Sequence, residues 1–326
     1  VKTQIQSNSI ILVKELLAQN KVASIVFFTF LFVCATGLIS PAIALLLGIV
    51  VTHFFGNPIA IYSPKIIQWL LQISVVGLGF GMQLKHVVTA GSASFGITVV
   101  SIASTLLLGT LLGKWFKTDR KMSHLISCGT AICGGSAIAS IAPVIRSTEK
   151  QTGLALGVIF ILNAIALFLF PVVGHLLKLS QNEFGVWSAI AIHDTSSVVG
   201  AASNYGAEAL QIATSVKLAR ALWIIPISIV TALLTSNKAG SIKIPYFIFV
   251  FLGVIIMQTY FPVPDFINVK INSLSKIGLT ITLFLIGSGL TKEMLFKVGA
   301  KPLLQGLLLW VFIASGSLLA VMYFFN

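Results

Sequence analysis

An all-α, polytopic membrane protein is the fold class that this sequence predicts, and three observations carry the prediction. Apolar residues make up 57% of the 326 residues and charged residues only 9%. A soluble domain carries about 25% charged residues, so this chain has too few to cover a water-facing surface. The apolar residues gather into runs of about 20, the length at which a helix crosses a hydrocarbon core. Two of these runs are interrupted by glycines or by consecutive polar residues, as happens where a spanning helix lines a cavity instead of meeting lipid.

Taken in order, eleven candidate spans cover residues 22–39, 40–55, 66–84, 92–113, 124–146, 152–177, 185–203, 206–234, 243–261, 270–290 and 298–325. The gaps are short, so residues 1–326 read as a single transmembrane domain. Residues 1–21 form a short cytoplasmic or interfacial lead, and "SIILVKELL" (9–17) suits an interfacial helix. The lead has no signal-peptide layout. The 23 phenylalanines against 5 tyrosines and 5 tryptophans suit lipid contact.

The net charge of +13 would suggest nucleic acid in a soluble protein, but no nucleic-acid motif accompanies it. Most of the basic residues sit between apolar runs, where they set topology and meet anionic headgroups. With the N-terminus in the cytoplasm, the cytoplasmic gaps take the larger share, including Lys114, Lys117, Arg120 and Lys121. Lys85, Arg146, Lys150, Lys270 and Lys276 fall outside. The expected location is the bacterial cytoplasmic membrane, with the C-terminus outside.

A partial repeat is visible. "ALLLGIVVTHFFG" (44–56) resembles "FVFLGVIIMQTYF" (249–261), and "ISVVGLGFGMQL" (73–84) resembles "ITLFLIGSGLTK" (281–292). Gly79 and Gly81 fall on Gly287 and Gly289, and Gly91 on Gly299. Seven spans separate the partners, so the repeat is inverted, a pattern typical of secondary transporters.

The fifth span contains "GTAICGGSAIASIAPVI" (129–145). It shares every fixed position of a phosphate-binding loop except the lysine, where Gly135 stands. Without that lysine or a preceding strand, nucleotide binding is excluded. Each glycine costs a helix interior roughly 1 kcal/mol, so Gly129, Gly134 and Gly135 predict a break. The second half starts near Gly135 with Ser136 as its N-cap, and its free N–H groups attract anions. Thr130, Cys133 and Ser140 add polar groups. Close packing of small residues is the competing explanation.

The seventh span contains five consecutive polar residues, His193, Asp194, Thr195, Ser196 and Ser197. A carboxylate at that depth costs about 2.5–3.5 kcal/mol, so Asp194 needs a partner or a wet cavity. In the eighth span Lys217 and Arg220 lie three apart on one helical face, with Thr214 on the same face. Asn163 and Ser288 are lesser candidates. Cys34, Cys128 and Cys133 lack metal-ligand spacing and predict no disulfide framework. No cofactor is implied.

At these residues the chain resembles the YeiH-type family of bacterial membrane proteins, to which sulfate export is ascribed. The resemblance rests on "GTAICGGSAIASIAPVI", on His193–Asp194 leading into "SSVVGAAS", and on "KLAR" (217–220). It implies kinship with cation–proton antiporters and anion transporters, whose broken helices cross at the midplane. Some members carry Gln where Ser197 stands here, a difference that bears on the substrate.

The residue types favour a secondary transporter of a small inorganic or organic anion, such as sulfate or a sulfonate. Substrate binding is expected at Thr130, Cys133, Gly134, Gly135, Ser136, His193, Asp194, Thr195, Ser196, Ser197, Lys217 and Arg220. His193 or Asp194 would govern coupling to a proton or a sodium ion. A homodimer is compatible with this reading. The alternative is a cation–proton antiporter using Asp194. An enzyme is not expected: His193 and Asp194 are adjacent on a helix and cannot form a relay with Ser136, and no G-x-S-x-G is present.

Overall fold

The computed structural model describes residues 21–60, 63–82, 84–235, 246–290 and 299–324. The expected interfacial helix at 9–17 lies outside the described residues, as do Lys238, Lys243, Lys292 and Lys297. The described residues form fourteen α-helices and one 3-10 turn, joined by turns and short irregular links. In chain order these are α1 (Lys21–Ala35), α2 (Pro41–Phe55), α3 (Ser63–Leu78) followed by the turn Gly79–Gly81, α4 (Leu84–Trp115), α5 (Arg120–Ala131), α6 (Gly135–Val144) and α7 (Glu149–Leu176). Then come α8 (Gln181–Ala191), α9 (Thr195–Tyr205), α10 (Ala207–Ala221), α11 (Ile224–Leu234), α12 (Tyr246–Tyr260), α13 (Asp265–Gly289) and α14 (Ala300–Phe324). Five runs have the length and composition to cross a membrane, and α10 with α11 counts as one of them. The run is interrupted at Leu222 and Trp223, just before Pro226, which cannot donate to the preceding turn and crowds it.

The helices sort into two bundles. In the first, α2 and α3 pack on α13, and α3 also on α12. Phe27 and Cys34 of α1 join Ala44, Val51 and Phe284 in its core. Here α2 and α13 touch backbone to backbone through reciprocal glycines. A Cβ on Gly48 would strike the Phe284 carbonyl, and one on Gly287 would strike the Leu45 carbonyl. This bundle holds both halves of the partial repeat, apart from Leu84 at the start of α4 and the undescribed Gln83, Thr291 and Lys292. The second bundle comprises α4–α11 and α14 and contains most of the buried core.

The two interrupted spans are broken where the sequence predicts. The chain then takes a different course from the one expected: each half-helix pair turns back instead of continuing across. At the open end of α5–α6, Lys121 Nζ donates to the Arg146 carbonyl at 2.8 Å. Gln151 Nε2 donates to Asp119 Oδ1 at 2.8 Å. The end of α6 therefore lies beside the start of α5. At the open end of α8–α9, Tyr205 Oη donates to the Leu179 carbonyl at 2.6 Å. The Phe184 and Tyr205 rings stack at 3.8 Å. At ~1.5 Å per residue, each limb is ~15–18 Å long, about half of a hydrocarbon core.

The two hairpins enter from opposite faces. The α10–α11 run passes one and then the other: α10 packs on α8 and α9, while α11 packs on α6. His124 of α5 meets Thr231 of α11 at 3.1 Å. Two of the eleven candidate spans are thus re-entrant hairpins. Cysteines placed at Thr118 and Thr148 are expected to react with a membrane-impermeant thiol reagent from the same face. Cysteines at Ser180 and Gly206 are expected to react from the other. A split within either pair would mean a true crossing.

Candidate functional site

Each limb has a local reason to start and stop. Asp119 caps α5, accepting from Lys121 N at 3.1 Å and Met122 N at 3.0 Å. The helix ends at Ile132, and Gly134 turns the chain with φ +63° and ψ −123°, a conformation that only glycine adopts cheaply. Ser180 and Glu183 form a reciprocal capping box at the start of α8. Asp194 caps α9, accepting from Ser196 N at 3.1 Å and from the Ser196 hydroxyl.

The hairpin tips meet inside the second bundle. A Cβ on Gly134 would lie 3.3 Å from both C and O of His193, so the two breaks are in backbone contact. Two spanning runs flank the meeting point with side chains from near their middles. Asn163 of α7 accepts through Oδ1 from His193 N at 3.0 Å and Asp194 N at 3.3 Å. It thereby supplies a partner to amides that the break leaves without a helical one.

Lys217 and Arg220 of α10 reach the meeting point from the other side, both fully buried. Lys217 Nζ donates to the carbonyls of Ile132 at 3.3 Å, Ala189 at 3.2 Å and Ile192 at 2.7 Å. An ammonium has three protons, and all three go to the ends of α5 and α8. Arg220 Nε donates to the Ala131 carbonyl at 2.9 Å, Nη2 donates to the same oxygen, and Nη1 donates to Ser101 Oγ at 3.0 Å. Both cations sit where two half-helices present the negative ends of their dipoles, which cations stabilise. The partner that Asp194 needs is neither of these cations. Its carboxylate is held by Ser196, and the cations bind carbonyls.

Three further side chains at the tips hold polar atoms without a hydrogen-bond partner: Thr130 Oγ1, Asn163 Nδ2, and both ring nitrogens of His193. These residues are 0–2% exposed. A buried polar group left unpaired costs about 1–3 kcal/mol, and the tips gather several of them.

The structure brings Cys133, Thr195, Ser196 and Ser197 into the same buried region. Ser136 departs from expectation. It is exposed, Gly135 is half-buried, and the residue at the cap of α6 is Gly134, which offers no side chain. The start of α6 is therefore uncapped, whereas the start of α9 has a carboxylate. Ser101, which holds Arg220, escaped the sequence reading because an isolated serine in a long apolar run carries no signal. Ser288 lies in the first bundle, where its Oγ accepts from Asn57 Nδ2 at 3.0 Å, far in the fold from the tips.

Comparison with known proteins places the chain. The family model described as "Conserved hypothetical protein 698" matches residues 16–306. A UPF0324 membrane protein of Bacteroides thetaiotaomicron is 50% identical over 289 residues, covering 88% of this chain and 87% of the relative. UPF0324 membrane protein PBPRB0970 of Photobacterium profundum is 48% identical over 300 residues, covering 92% of each. UPF0324 membrane protein Bd1437 of Bdellovibrio bacteriovorus is 46% identical over 314 residues, covering 94% of this chain and 97% of the relative. No solved structure matches the chain. The resemblance to the YeiH-type group is upheld, and an all-α, multi-helix chain with two opposed hairpins belongs to the UPF0324 family of membrane proteins.

Proposed function

We propose that this protein is a secondary transporter of a small anion, sulfate or a sulfonate being the class that suits it. One observation carries the reading: two hairpin tips meet in a buried region that holds two cations, one carboxylate and several polar atoms without partners. Broken helices meeting at mid-depth are how secondary transporters build their sites. Formal charge at the tips is positive, and the uncapped start of α6 adds the positive end of a dipole. In this mechanism the substrate's oxygens accept from the N–H groups at Gly135 and Ser136, from Thr130 Oγ1 and from Asn163 Nδ2. Lys217 and Arg220 act mainly at a distance. They hold the carbonyl ends together and leave a positive potential for the anion. His193 is placed to carry a coupling proton, since both of its ring nitrogens are free of other partners at the tip. The positive-inside pattern puts the N-terminus and the open end of α5–α6 in the cytoplasm.

Uptake of labelled sulfate and small sulfonates into proteoliposomes tests the reading, and saturable accumulation is expected. Asp194→Asn separates it from cation–proton antiport. Asparagine caps helices as well as aspartate does, so α9 stays in place while the charge goes. Anion uptake is expected to persist in this variant with a changed pH dependence. Loss of all transport together with loss of a sodium-dependent pH change in vesicles would favour the antiporter, in which Asp194 holds the cation. The two capping bonds of Asp194, both on Oδ2, speak against that role, because they fix the carboxylate as the cap of α9.

A further inference from the structure

A cavity of about 110 Å³ lies at the seam between the two bundles. One wall is α10, with Gln211 and Thr214. The opposite wall is the Gly79–Gly81 turn and α13, with Asn272 and Lys276. A second cavity of about 280 Å³ adjoins it along α13 and shares Gly81, Asn272 and Lys276. By this measure one water needs roughly 10–15 Å³, so both cavities have room for water and for a small solute.

Three features give this seam a direction and a preference. Among the described residues, Lys276 is the only charged one lining either cavity. The acids in the first turns of the two wall helices, Glu208 and Asp265, line neither. The amides of Gln211 and Asn272 add N–H donors. Thr214, on the α10 wall, is three residues from Lys217 and on the same helical face, so along the axis the cavity wall stands about one turn (~5 Å) from the backbone position that carries the tip-holding lysine. A direct bond also spans the seam, from Gln211 Nε2 to the Gly81 carbonyl at 3.0 Å. It is exposed and easily exchanged for water.

We propose that this seam is an anion vestibule: Lys276, Asn272 and Gln211 collect a small oxyanion between the bundles, and Thr214 passes it toward the hairpin tips. The Gln211–Gly81 bond latches the bundles while the vestibule is narrow. This rests on the anion-transport reading and deepens it, naming the route and the residue that selects charge.

The test uses Thr214→Cys and Asn272→Cys in the full chain, in sealed vesicles, with the three buried native cysteines as background. Small anionic and cationic methanethiosulfonates of matched size are applied to either side. Both cysteines are expected to react from one face only, several-fold faster with the anionic reagent, and more slowly in excess sulfate. Adding Lys276→Gln is expected to remove the charge preference. Asn272 is half-buried in the wall, so its cysteine reports even if the Thr214 variant does not fold. The proposal is overturned if either folded variant reacts at equal rates with both reagents, or if Lys276→Gln leaves the ratio unchanged. Sulfate uptake measured in parallel keeps the two readings apart. Uptake without anion-selective labelling overturns the route alone, and anion-selective labelling without uptake upholds the vestibule and overturns transport.

Discussion

Lys217→Met is expected to reduce anion uptake to background and to lower the melting temperature. Methionine keeps most of the side-chain volume and removes three N–H donors at once. The carbonyls of Ile132, Ala189 and Ile192 then face each other unpaired. Each such loss is worth about 1–3 kcal/mol, partly offset because a fully buried charge no longer has to be desolvated. The effect on stability is therefore smaller than the sum, whereas the effect on geometry is not. Two like-signed dipole ends lose the charge that held them together, and the tips separate. Lys217→Arg is not expected to rescue, since the planar guanidinium does not fit an ammonium's fully enclosed site. Uptake and thermal melting measured on the same preparations check this. Uptake at wild-type rate in Lys217→Met would show that the tips do not need the ammonium.

Gly134→Ala is expected to have an effect of the same order by a different route. The backbone at φ +63°, ψ −123° strains any residue with a Cβ, at about 1–3 kcal/mol. The new methyl would also lie 3.2 Å from Ile159 Cγ2 and 3.3 Å from the His193 carbonyl group. Relief requires the tips to part by a few tenths of an ångström at the point where the substrate is proposed to bind. Uptake is expected to fall at least tenfold, with a melting temperature lower by a few degrees. Gly153→Ala is the control. A Cβ there meets nothing within 4 Å, and near-normal uptake is expected. Equal damage from both would point to a general loss of helix mobility and away from contact between the tips.

Both breaks were legible because their causes are local. Glycine clusters and a five-residue polar run are unfavourable in any helix surrounded by lipid, whatever surrounds them in the fold. The return of each hairpin was not legible from hydropathy, because 12 and 10 helical residues joined by a turn present the same apolar length as one crossing helix. A weaker signal did exist in the charges. With α5–α6 folded back, Arg146 and Lys150 share a face with Lys114, Lys117, Arg120 and Lys121, and Lys178 moves to the other. The charge asymmetry is then sharper than eleven crossings allow. The backbone at Lys117, Arg146 and Lys178 also takes positive φ at 53°, 50° and 54°. These are left-handed helix ends that cap α4, the first hairpin and α7, and basic side chains do not announce them.

The amino-acid sequence by itself determined that the chain is a bundle of apolar helices, that two segments cannot stay helical through their middles, and that a carboxylate and two cations are buried near them. Each of these follows from a cost carried by a residue in its own neighbourhood. Only the tertiary structure decided that the broken segments turn back from opposite faces, that their tips touch at Gly134 and His193, and that Lys217 and Arg220 spend their protons on carbonyls instead of on Asp194. Those outcomes depend on which unpaired backbone groups lie within reach of a long side chain on another helix. That distance is set by the packing of α7 and α10 around the tips, and no stretch of the chain encodes it alone.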